Sequence, residues 1–128
     1  MFAARLEGIA LAARVRPHPF EVSVDDLDRV KVVRVQGEVD AATAPRMGET
    51  VNRLLGMHER VVLDLQQVDF MDLHGLGVMI RATRRARSDG GSFAIARPAA
   101  CVRRLVALVH AENELRILPD GSDPRDAA

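Results

Sequence analysis

Three observations predict a single α/β domain built on one sheet with parallel strands and crossover helices. Short valine-rich runs alternate with segments whose apolar residues recur at helical spacing, which is the pattern of strand–helix–strand units. One apolar run, Val61-Val62-Leu63-Asp64-Leu65, leads through Gln66-Gln67-Val68-Asp69-Phe70-Met71 into a glycine-containing helix start, Asp72-Leu73-His74-Gly75-Leu76-Gly77. The length of 128 residues matches one domain with one core.

Residues 1–16 form an arginine- and alanine-rich extension with Phe2, Leu6, Ile9 and Ala13 on one helical face, ending at Pro17. A packing arm, a partner-binding helix and a frayed extension all fit it. The domain is expected over residues 17–118. Phe20, Val22 and Val24 alternate with polar residues as the inward face of a first strand. Asp25 to Asp28 reads as a polar turn, and Val30 to Gln36 as the return strand of a hairpin. Gly37 is expected to break that strand. Thr43 or Ala44 can cap the next helix, with Pro45 in its first turn and Met47, Val51, Leu54 and Leu55 as its apolar stripe.

After the central strand, a helix over about Leu73 to Arg87 is expected to bury Leu76, Met79, Ile80 and Thr83, with Ser88-Asp89-Gly90-Gly91 as its stop. Ser92 to Ala96 is a short strand, and about Ala99 to His110 a third helix carrying Val102, Leu105, Val106 and Val109. Leu115 to Leu118 reads as a last edge strand, which brings the sheet to four or five strands with about three helices. Residues 119–128 read as a polar C-terminal tail.

Composition narrows the function classes. Eighteen basic and eighteen acidic residues cancel, so no overall field draws in nucleic acid or anionic lipid. No apolar run approaches the roughly 18 residues of a membrane span. Cys101 is the single cysteine, which excludes an intramolecular disulfide and a Cys-based zinc site. The short apolar patch Ile9 to Ala13 is not a secretory core, and the chain reads as cytoplasmic. His18, His58, His74 and His110 are dispersed without ligand spacing, so no metal and no cofactor are expected. Gly75-Leu76-Gly77 lacks the remaining spacing and the lysine of a nucleotide loop. Cys101 reads as a small buried hydrophobe rather than a nucleophile, and the arginines Arg81, Arg84, Arg85 and Arg87 as a solvated helical face. An enzyme is not expected.

Two segments resemble those of STAS domains of the anti-sigma factor antagonist type. Gly37-Glu38-Val39-Asp40, followed by Ala44-Pro45, is similar to that family's Gly-Glu-Leu-Asp segment. Val68-Asp69-Phe70-Met71-Asp72, followed by Gly75-Leu76-Gly77, is similar to its phosphorylation loop and the helix behind it. The resemblance covers roughly residues 20 to 118 and implies a mixed sheet with its helices mainly on one side. It also implies an anti-sigma factor, of the serine-kinase type, as partner, and release of a sigma factor as the outcome. Another STAS role, as the interaction subunit of a scaffold or transporter-associated complex, is the alternative.

By the same resemblance the partner surface centres on Asp40, Asp69, Asp72, Leu73, His74, Gly75, Leu76 and Gly77. In the family a serine or threonine stands just before the first glycine and takes the phosphoryl group; here that position is His74. An imidazole cannot form that phosphoester, and neither can Leu73. The plainer roles of these residues are structural: Asp72 as an N-cap, Asp40 as a turn or capping acid, His74 as a loop residue, and Gly75 and Gly77 as close-packing positions.

Overall fold

In the computed structural model, which describes residues 18–127, strand β1 (Glu21–Leu27) and strand β2 (Val30–Val39) form an antiparallel hairpin. The expected N-terminal extension, residues 1–16, lies outside the described residues. The acidic run expected as the turn contributes Asp25 and Asp26 to β1, and the reversal is confined to Asp28, at φ 59°, and Arg29. Charge pairing explains the difference. Lys31 Nζ lies 2.6 Å from Asp26 directly opposite, and Arg34 pairs with Asp25, so opposite charges face one another across the hairpin. Phe20 and Val22 pack against the helix-side core as expected, whereas Val24 is exposed on what is an edge strand.

Strand β2 does not end at Gly37. It bulges there, with Gly37 at φ 91° and a register shift against its neighbour between Gly37 and Glu38, and runs on to Val39. The central strand β3 (Arg60–Met71) likewise continues past Leu65, because Gln36 to Val39 supply partners for Gln67 to Met71. Strand β4 (Ser92–Ala96) lies parallel on its far side, giving the order β1-β2-β3-β4 with only the first pair antiparallel. The expected last strand reduces to one parallel bridge from Ile117 to Ile95, held by two hydrogen bonds of 2.8 Å at Ile95. The result is a mixed sheet of four strands.

Helices α1 (Ala44–Gly56), α2 (Leu73–Asp89) and α3 (Ala100–Leu108) all pack on one face of that sheet. Alternation along the strands makes this possible. Val33, Val35, Val61, Leu63 and Leu65 point to the helices and meet Met47, Val51, Leu76, Met79, Val102 and Val106, all buried. Of the expected inward residues, Ile80 and Leu105 are half-buried at the margin of this core, and Val109, just past the end of α3, is exposed. The buried Thr83 hydroxyl donates 2.8 Å back to the Met79 carbonyl, so its polarity is satisfied within the helix. Gly90 ends α2 at φ 68° as the Gly-Gly signal predicts.

The opposite face carries Val30, Val32, Val62, Ala94 and Ala96, over which Leu118 and Ala127 pack. Residues 119–127, polar as they are, therefore lie against the sheet, with the Ser92 hydroxyl donating 3.2 Å to the Ala127 carbonyl. Asp64 is buried on this side and pairs with Arg97 and, at 3.4 Å, with Arg34. Two arginines around one carboxylate compensate its desolvation.

Candidate functional site

Strand β3 and helix α2 are joined by one residue. Asp72 donates its N–H to the Val39 carbonyl at 3.0 Å, closing the strand pair, and then caps the helix. Its Oδ1 accepts the His74 N–H at 2.8 Å, and His74 Nδ1 lies 3.2 and 3.3 Å from the two carboxylate oxygens. Burial works to raise the Asp72 pKa, but the His74 N–H, the His74 imidazole and the Gly75 N–H outweigh it and hold the carboxyl below its ordinary value. The side chains of the next two residues stand in solvent: Leu73 is 62% exposed, as is the side chain of His74.

Two expectations follow for stability. Asp72→Ala should cost about 1 kcal/mol at neutral pH, the usual worth of an N-cap. Because the folded-state pKa is depressed, that contribution is present above the carboxyl's unperturbed 3.8 and fades as pH falls through the lower folded value. Urea unfolding at pH 7 and in acid below pH 3.8 checks this: the gap between wild type and variant should narrow as the pH falls.

Gly75 faces inward. A Cβ there would sit 2.7 Å from Met71 Cγ and 2.8 Å from Val39 Cγ1, a buried and β-branched neighbour. Gly75→Val is thus expected to destabilise by about 2 kcal/mol through overpacking, read as a lowered midpoint in the same titration. An unchanged midpoint would contradict the packing account of this glycine.

The other expected site residues are dispersed around this turn. Asp40 Oδ1 accepts the N–H groups of Ala42 and Thr43 at 2.9 and 3.1 Å, while the Thr43 hydroxyl donates 2.7 Å to the Glu38 carbonyl. Asp40 therefore organises the turn before α1, and among the described residues no hydrogen bond or ion pair joins it to Asp72 or His74. Asp69 holds His18, accepting its backbone N–H at 2.6 Å and meeting its Nδ1 at 3.1 Å. The structure brings together residues 72–77 and leaves Asp40 and Asp69 in neighbouring structural roles.

One contribution to the surface is absent from the sequence reading. A groove of about 580 Å³ runs between α1 and α2, with Ala44, Pro45 and Gly48 on one wall and Leu73, His74 and Val78 on the other. Gly48 allows the close approach, since a Cβ there would lie 3.3 Å from Val78 Cγ2. A glycine inside an otherwise amphipathic helix was the available signal. Among the described residues there is no cluster of three or more His, Cys, Asp or Glu side chains able to hold a metal. Cys101 points its thiol at the Val68 carbonyl, 3.5 Å away.

With this geometry established, comparison with known proteins is decisive for the family. The family model described as STAS domain matches residues 21–122, from the first strand into the segment that covers the sheet. The chain belongs to the STAS domain family. Its sheet order and three one-sided helices match a STAS-fold crystal structure, that of an anti-sigma factor antagonist from Mycobacterium paratuberculosis. The two share 25% identity and a TM-score of 0.75 over 88% of this chain and 96% of that one. In sequence, this STAS domain is 38% identical over 69 residues to the anti-sigma-B factor antagonist of Listeria monocytogenes, covering 52% of this chain and 59% of that protein. It is 34% identical over 70 residues to the anti-sigma F factor antagonist of Paenibacillus polymyxa. The matched stretch spans about three fifths of the length of these curated relatives. No helix among the described residues is long and apolar enough to cross a membrane.

Proposed function

We propose that this STAS domain is an anti-sigma factor antagonist: it binds an anti-sigma factor of the serine-kinase type in the cytoplasm and so frees a sigma factor for transcription. It acts by binding and carries out no chemistry of its own. The names of its relatives support the class of function. The observation that carries the finer reading is His74, an exposed imidazole at the helix start in the position where the family motif has a hydroxyl.

A phosphoserine would bring roughly −1.5 to −2 charges to this spot. The imidazole is neutral or cationic, so the surface keeps the character of an unphosphorylated antagonist and its binding is not ended by serine phosphorylation at residue 74. Asp72, Leu73, His74 and the exposed side of α2 form the centre of the contact, with the Asp40 turn beside it.

The test is a labelling experiment after partner identification. An anti-sigma kinase captured from the native cytoplasm is incubated with radiolabelled ATP and either wild type or His74→Ser. Label is expected on the serine variant and not on the wild type. Equal labelling of both at some other residue would overturn the lost switch, and capture of a transporter or scaffold subunit in place of an anti-sigma factor would overturn the function.

A further inference from the structure

Helix α3 carries an apolar stripe that nothing covers among the described residues. Cys101 and Leu105 are partly buried at the margin of the core, while Leu108 is 78% exposed and Val109 40%. Cys101, Leu105 and Leu108 stand four and three residues apart, so they share one side of the helix, beside the inward-facing Val102 and Val106. Arg104 lies on the same side. Its neighbour Arg103 pairs with Asp120 at 2.6 Å, whereas Arg104 makes no ion pair among the described residues.

The path of the chain at His18 leads toward this stripe. Phe20 lies beneath the Arg46 guanidinium of α1, 4.9 Å from the centre of its ring. The His18 carbonyl sits against Gly37 in β2, and the His18 N–H reaches Asp69 in β3. Followed backward from Phe20 to His18, the chain thus leaves α1, crosses β2 and arrives at β3. The start of α3 meets β3 at the same level. Ala99 donates its N–H 3.2 Å to the Leu65 carbonyl, and Cys101 Sγ lies 3.5 Å from the carbonyl of Val68, one residue before Asp69. Residues 13 to 18 span up to about 16 Å when extended, which brings residue 13 within reach of the Cys101 end of α3.

We infer that residues 2–13, which lie outside the described residues, dock on α3 as an amphipathic helix running antiparallel to it; the inference stands apart from the function proposed above. The spacings match. Ala13, Ile9 and Leu6, read backward, stand four and three residues apart, as do Cys101, Leu105 and Leu108 read forward. An antiparallel pair therefore sets Ala13 against Cys101, Ile9 against Leu105 and Leu6 against Leu108, with Phe2 at the Val109 end. Glu7 is the one acid of residues 1–16, and Arg104 is the cation along the stripe, so the charges are complementary as well. A segment of about twelve residues holds a helix only by packing its apolar face, and α3 offers that face beside the point where His18 is held. Docked there, the arm and the His18–Asp69 contact brace the end of β3 that leads to Asp72.

The test uses the full chain carrying Cys101→Ser, so that cysteines introduced in pairs report the contact. Leu6→Cys is combined either with Leu108→Cys, on the stripe, or with Ala107→Cys, exposed on the opposite side of the same turn. With oxidised glutathione, the Leu6–Leu108 pair is expected to close an intramolecular disulfide about tenfold faster than the Leu6–Ala107 pair, because docking raises the effective concentration at one position only. Adding Ile9→Asp places a charge in the middle of the contact and should remove the difference. Non-reducing electrophoresis and peptide mass mapping read both results, and the substituted α3 positions are not fully buried, so the core is kept. Equal rates at Leu108 and Ala107 would leave the stripe open to another protein and overturn the inference, as would a difference that survives Ile9→Asp. Disulfide-linked dimers in place of cross-linked monomers would assign the stripe to a second copy of the chain and equally overturn it.

Discussion

Gly37→Val is expected to lower the melting temperature by about 15 °C, the largest stability effect among the substitutions considered. Two costs combine. The backbone at φ 91° lies where side chains other than glycine are strained, at about 1–3 kcal/mol. A Cβ would also lie 2.7 Å from the His18 carbonyl oxygen and 2.8 Å from the Phe20 backbone. Backbone cannot step aside as a flexible side chain can, so overpacking adds about 1–3 kcal/mol. A total near 4 kcal/mol, at about 4 °C per kcal/mol for a domain of this size, leads to the stated shift. Gly121→Ala separates the two costs, because Gly121 also has positive φ, 78°, but nothing lies within 4 Å of its added Cβ. It should lose about 1 kcal/mol. Equal melting temperatures for the two variants, measured by circular dichroism, would remove the clash at Gly37 from the account.

His74→Glu has the largest expected effect on binding: at least a tenfold rise in Kd for the proposed anti-sigma partner, about 1.4 kcal/mol. The glutamate adds a negative charge beside Asp72 at the mouth of the α1–α2 groove, where a serine phosphate would stand in relatives with the hydroxyl. Monomer stability should hold, since an acid in the first turn of a helix interacts favourably with the helix dipole. His74→Ala should leave Kd within about twofold, because it removes a side chain without introducing charge. A strong loss on His74→Ala would make the imidazole itself the contact and would overturn the reading of residue 74 as a position whose missing negative charge matters. Thermal melts of all three proteins keep binding and folding apart.

Much of the fold is legible along the chain because its determinants are local. Val61 to Leu65 alternate across a sheet, Pro45 and the stripe Met47, Val51, Leu54 define an amphipathic helix, and Gly90 stops another. What misled was pairing at a distance. Asp25 and Asp26 read as turn residues until Lys31 stands opposite Asp26 and Arg34 reaches Asp25 across the hairpin. Gln66 to Met71 read as a connection until the bulged end of β2 supplies hydrogen-bond partners. The short run Leu115 to Leu118 has the composition of a strand, yet beside Ile95 it makes only one bridge.

The site divides in the same way. The capping of α2 by Asp72 involves residues two apart, and local spacing was enough to expect it. The partner of Asp69 is His18, fifty-one residues away, and nothing in the motif around Asp69 announces it. The α1–α2 groove depends on Gly48 meeting Val78, two residues from different elements.

The sequence by itself determined the three helices, the central stretches of the four strands, the helix start at Asp72 and the identity of residue 74, since these depend on spacing within a few residues. Only the tertiary structure decided where the strands end, that Asp40 and Asp69 are engaged in neighbouring turns and contacts, and that a groove between α1 and α2 lies beside His74. Those outcomes depend on which distant backbone and side-chain groups come to satisfy one another, and burial settles that only when the whole sheet and its helices are assembled.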